Sequence, residues 1–163
     1  MLAIRFAPAA LMLAFAAPAL AQQPTPFENA AMAVVAPCTN MKVDAETAAA
    51  AVTACTPVGQ NMAALKDKTP GIAGHDLNVH HIVTSMALTR IGNAYSFQDG
   101  NRRTARVCVQ MELAWKEVAQ VDPAASPGYA AVIKQLRDSS INVIGKCRSE
   151  NGTPAGAPPL PPQ

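Results

Sequence analysis

From about Asp44 onward the apolar residues recur every three or four positions rather than every second one, which is the spacing of helices with one buried face. Asp44 reads as an N-cap, with Thr47 three residues on. Ala45, Ala48, Val52 and Cys55 then form a stripe that Pro57 is expected to stop. A shorter helix follows from about Gly59 to Lys66, and Asp67 to Asp76, holding Pro70, Gly71 and Gly74, reads as a loop. From His80 to Phe97, Val83, Ala87, Ile91, Ala94 and Tyr95 share a face, and Asp99 and Gly100 break the pattern. From Asn101 to Val121, Cys108, Met111, Trp115 and Val118 do the same. The segment DPAASPG at 122–128 is a turn, and a last helix from Tyr129 to Cys147 places Tyr129, Val132, Ile133, Leu136, Val143, Ile144 and Cys147 on one side. The pattern predicts an all-α fold, a small bundle of antiparallel hairpins with four to six short helices, forming one domain over residues 22–150.

Both ends depart from this pattern. At the N-terminus, Arg5 precedes an apolar run through Leu11–Ala17 and then Pro18-Ala19-Leu20-Ala21. That order is expected of a cleavable signal peptide over residues 1–21. The run is shorter than the roughly 20 apolar residues a membrane-spanning helix needs, so no membrane span is expected, and the mature chain should be periplasmic or secreted. At the C-terminus, residues 151–163 read NGTPAGAPPLPPQ, a Pro-rich tail expected to be disordered.

Charge adds little. The 13 basic and 11 acidic side chains nearly balance, and a nucleic-acid binder would show a clustered basic face. Arg102, Arg103 and Arg106 form only a small local group, read as a solvated helix face.

The cysteines change the picture more. Cys38, Cys55, Cys108 and Cys147 are an even set in a chain expected to be exported, so two disulfides are the default. Their wide spacings lack the close pairs of a zinc site or of thioredoxin-type chemistry. An antiparallel hairpin turning at 122–128 sets Cys108 and Cys147 on facing stripes, with an axial mismatch of roughly 7 to 8 Å that helix tilt can absorb. The expected pairs are therefore Cys108 with Cys147, and Cys38 with Cys55.

The stretch from about Met86 to Pro123 resembles one degenerate tetratricopeptide repeat, a 34-residue helix-turn-helix unit. Ile91, Gly92, Asn93, Ala94 and Tyr95 carry the resemblance, with Gly100 and Asn101 at the turn, Ala105 in the second helix and a closing Asp122-Pro123. Gly92 would let the partner helix approach closely, and Tyr95 would fill the gap one turn later. Gly100 lies one residue later than the repeat expects, and no second copy is visible. The resemblance implies a helical surface presented to a protein partner.

Candidate chemistry is sparse. His75, His80 and His81, with Asp76 beside them and Met86 further on, offer imidazole and carboxylate groups suited to copper or zinc. Against this, adjacent His80 and His81 diverge by about 100° on a helix. The methionines are scattered singly, as core fillers are. The sequence holds no nucleophile elbow, no H-E-x-x-H and no phosphate-cradling glycine loop. The expectation is an exported, non-catalytic protein-interaction or scaffold module without a cofactor, its partner another protein. The alternative is a small periplasmic metal-binding protein using His75, His80 and His81.

Overall fold

The computed structural model describes residues 23–160, and the expected signal peptide lies outside them. Five helices follow one another: α1 (Pro26–Thr39), α2 (Ala48–Asp67), α3 (Gly74–Gln98), α4 (Ala105–Val118) and α5 (Ala130–Asn151), with two single-turn 3-10 segments, Pro123–Ala125 and Pro127–Tyr129, before α5. The described residues contain no strand, so the fold is all-α. None of their helices is long and apolar enough to cross a membrane.

Most of the core falls into two three-helix clusters that share α3, with a smaller one of Ala48, Ala51 and Ala94 between α2 and α3. One of the two joins Phe27, Ala31, Val35 and Cys38 of α1 with Cys55, Val58 and Met62 of α2 and Val79, Val83, Ala87 and Ile91 of α3. The other joins Ile82 of α3 with Val107, Met111, Trp115 and Val118 of α4 and Ile133 and Ile144 of α5. Each of these two larger clusters carries one disulfide, Cys38–Cys55 between α1 and α2 and Cys108–Cys147 between α4 and α5, with Cα separations of 4.6 and 5.6 Å. Both expected pairings are found. A helix packed on opposite sides cannot keep a narrow apolar stripe, and α3 accordingly buries Asn78, His81, Thr84 and Ser85 among its apolar residues.

Several boundaries differ from expectation. The pattern had no helix at α1, where Phe27, Ala31, Val35 and Cys38 are buried at spacings of four and three. Thr25 caps it by accepting from the Glu28 amide at 3.0 Å, with Pro26 in the first turn. Pro57 does not stop α2, which continues for ten residues to Asp67. A helix-interior proline costs about 3 kcal/mol, and here the burial of Cys55, Val58 and Met62 on both sides of it outweighs that. Helix α3 begins at Gly74, inside the expected loop, so His75 and Asp76 form its first turn. Helix α4 begins only at Ala105, because Gly100 and Asn101 adopt φ of 68° and 60° and force an extended link to Thr104. Val132, expected to face inward, is exposed on α5.

At Gly92, α3 comes close to α4. A Cβ placed there would lie 2.8 Å from the Met111 methyl and 3.4 Å from Gln110 Cβ. Tyr95, nearly one turn on, packs against both clusters, and the Arg106 guanidinium lies 4.5 Å above its ring. Arg106 also pairs with Asp99, and Arg103 with Glu150 at 2.8 Å.

Candidate functional site

The exposed side of α4 carries large apolar residues beside its charged ones. Val109 is 54% and Leu113 43% exposed. With Ala105 they make an i, i+4, i+8 ridge, so the three side chains line up along the helix. The Pro-rich tail completes this ridge into a groove. Residues 151–158 turn back beside α4, and the space between, about 450 Å³, is lined by Val109, Leu113, Glu112, Lys116 and the segment Gly152–Pro158.

What holds the tail is a pair of donors on one carbonyl. Trp115 Nε1 donates to the Pro158 oxygen at 3.3 Å and Arg148 Nη2 at 2.9 Å. Arg148 is itself fixed by two bonds to the Glu112 carboxylate, at 2.6 and 2.8 Å. Leu160 packs against the α3–α4–α5 cluster. Composition had marked residues 151–163 as disordered, whereas as far as Leu160 the tail is seated against the helices.

The three candidate histidines separate. His75 belongs to a network that ties α1 to the α4–α5 connection. Asn78 Nδ2 donates to Ser126 Oγ at 3.0 Å, and the Ser126 hydroxyl is hydrogen-bonded to His75 Nδ1 at 2.9 Å. His75 Nε2 then donates to Glu28 at 3.1 Å, and the Tyr129 hydroxyl donates to the other Glu28 oxygen. Asn78 also brackets the Asp122 backbone, and Asp76 accepts from Thr25 at 2.6 Å. The order serine, histidine, glutamate is that of a nucleophile relay, but Ser126 is only 1% exposed. Its hydroxyl cannot meet a substrate, so the network works as a buried clasp.

The clasp has a pH signature. Burial first, then the hydrogen bond to Glu28, pushes the Tyr129 phenol up to about 12. Burial pushes the Glu28 carboxyl up, but the bonds from Tyr129 and His75 bring it net below its usual range. A raised phenol pKa means stability present below the ordinary value of about 10 and lost as pH climbs further. In a Tyr95→Phe background, phenolate absorbance should therefore rise only near pH 12, together with unfolding. A midpoint near 10 in folded protein would contradict the clasp.

His80 and His81 lie elsewhere, where α3 meets α4, and their partner there is Glu117 rather than His75. Ligand atoms of His80, His81 and Glu117 all fall within 4.8 Å of one another. His81 Nδ1 and Glu117 Oε2 are 2.8 Å apart. Glu117 carried no signal in the sequence, because it sits 36 residues from His81 on another helix.

No family model matches the chain, and neither a curated protein nor a solved structure is significantly similar to it.

Proposed function

We propose that this chain is an exported, non-catalytic protein-interaction module whose docking surface is the groove between α4 and the Pro-rich tail. The exposed apolar ridge of Val109 and Leu113 carries this reading, since a contiguous apolar patch on a helix in water signals a partner. Glu112 and Lys116 give the groove a polar rim, the anatomy of a protein interface. A partner segment that inserts two neighbouring apolar side chains, such as one face of a helix, fits a ridge with apolar positions every four residues. The resemblance of the α3–α4 hairpin to a tetratricopeptide repeat supports the same role, and the close approach at Gly92 is in keeping with it. The two disulfides support export to an oxidising compartment, periplasmic or extracellular.

Leu113→Asp tests this. A charge at the centre of an interface removes a hot spot worth about 2 kcal/mol or more, so recovery of the partner on purification from the native host should fall by more than tenfold. Val132→Asp, the same change on an exposed apolar residue outside the groove, should leave recovery unchanged. Equal recovery with both variants would overturn the proposal.

A further inference from the structure

We propose that His80 and His81 of α3 and Glu117 of α4 form a binding site for a divalent transition-metal ion of the zinc and copper type. This is independent of the groove, and it is not the set of histidines the sequence singled out.

The geometric objection to two adjacent histidines is answered by how the rings turn. Cα–Cβ vectors of neighbouring helix residues diverge by about 100°, yet the His80 and His81 rings meet edge to face with centroids 5.3 Å apart. Glu117 approaches from the neighbouring helix, and the three ligand atoms fall within 4.8 Å of one another. Two metal–ligand bonds of 2.0 to 2.1 Å at a tetrahedral angle place their donors about 3.3 Å apart. The His81–Glu117 separation of 2.8 Å must open slightly and the longest separation must close, both within the reach of side-chain rotation.

The state of the ligands points the same way. His80 Nδ1 is buried without a hydrogen-bond partner among the described residues, an arrangement that costs free energy unless something else satisfies the atom. Two imidazoles and one carboxylate suit zinc or divalent copper better than magnesium or calcium, which prefer all-oxygen shells. Three protein ligands leave a further coordination position for water or an exogenous group. Lys66 of α2 also faces His80, and its charge opposes an incoming cation.

The test uses the oxidised mature chain and zinc chloride or copper(II) chloride alone. Calorimetry should show one saturable site at micromolar metal or below, and imidazole NMR signals of His80 and His81 should shift at one equivalent while those of His75 stay in place. Glu117→Gln should weaken binding by at least the roughly 10 to 100-fold that losing an outer-shell partner costs, whereas Lys66→Gln, at a position away from the ligand atoms, should tighten it. His75 serves as a control inside the folded wild-type protein, so the outcome does not depend on any variant folding. No saturable binding at 100 µM metal, or equal shifts of all three histidines, would overturn the proposal.

Discussion

Breaking both disulfides is expected to leave most of the chain unfolded. They close loops of 17 and 39 residues, and the loss of loop entropy in the unfolded chain stabilises by about 3 and about 4 kcal/mol respectively. A single domain has a net stability of roughly 5 to 15 kcal/mol, so their combined loss consumes half or more of it. The two bridges are not equivalent, because one joins α1 to α2 and the other α4 to α5, in different clusters, and they close loops of different length. Replacing Cys108 and Cys147 with alanine should lower the urea midpoint by about 2 M for a slope near 2 kcal/mol per molar. The same change at Cys38 and Cys55 should lower it by somewhat less. Trp115, buried in the α3–α4–α5 cluster, reports unfolding by fluorescence. An unchanged midpoint in either variant would contradict this partition of stability between the clusters.

The second large effect is expected at Arg148. Arg148 and Glu112 are both largely buried and joined by two bonds, and Arg148 also holds the Pro158 carbonyl. Removing one partner of a buried ion pair costs about 3 to 5 kcal/mol, because the other charge stays buried and unpaired. Some solvent reaches this pair, so Arg148→Met should cost about 2 to 4 kcal/mol by the same reasoning. The consequence reaches beyond stability. With one of its two donors gone, the Pro158 carbonyl is held by Trp115 alone, and the tail that walls the groove, left with that bond and the Leu160 contact, should come away more readily. Urea unfolding and the rate of proteolysis after Asn151 would measure the two effects separately. Arg148→Lys should not restore them, since an ammonium cannot reproduce the forked contact. A tail as resistant to protease in Arg148→Met as in wild type would show that something else seats it.

These expectations depend on features of unequal legibility in the sequence. The stripes of α4 and α5 and the turn at 122–128 could be read because each of these helices keeps one buried face and the turn between them is rich in Pro and Gly, and from them the Cys108–Cys147 pairing followed. Helix α1 was hidden because its buried face is built from Ala31 and Val35 within an alanine-rich stretch that looks apolar on every side. Its start was nonetheless signalled by Thr25 and Glu28, a capping pair three residues apart. The reach of α2 beyond Pro57 was not visible, since only tertiary burial decides whether a helix absorbs a proline. Sequence proximity also misled. His75 and His80 are five residues apart, yet His75 pairs with Glu28 and Ser126, at separations of 47 and 51 residues. The groove was missed for the same reason, because its second wall is a segment whose composition indicated free chain.

The claim most in need of direct measurement is that the α4 ridge meets another protein. A photoreactive amino acid at position 113, introduced into the chain in its native host, records what lies against that ridge in the cell. The groove reading predicts one dominant cross-linked protein from position 113, lost when Val109→Asp is added, and no such product from position 134 on the exposed start of α5. The same products from both positions, or none from position 113, would contradict it.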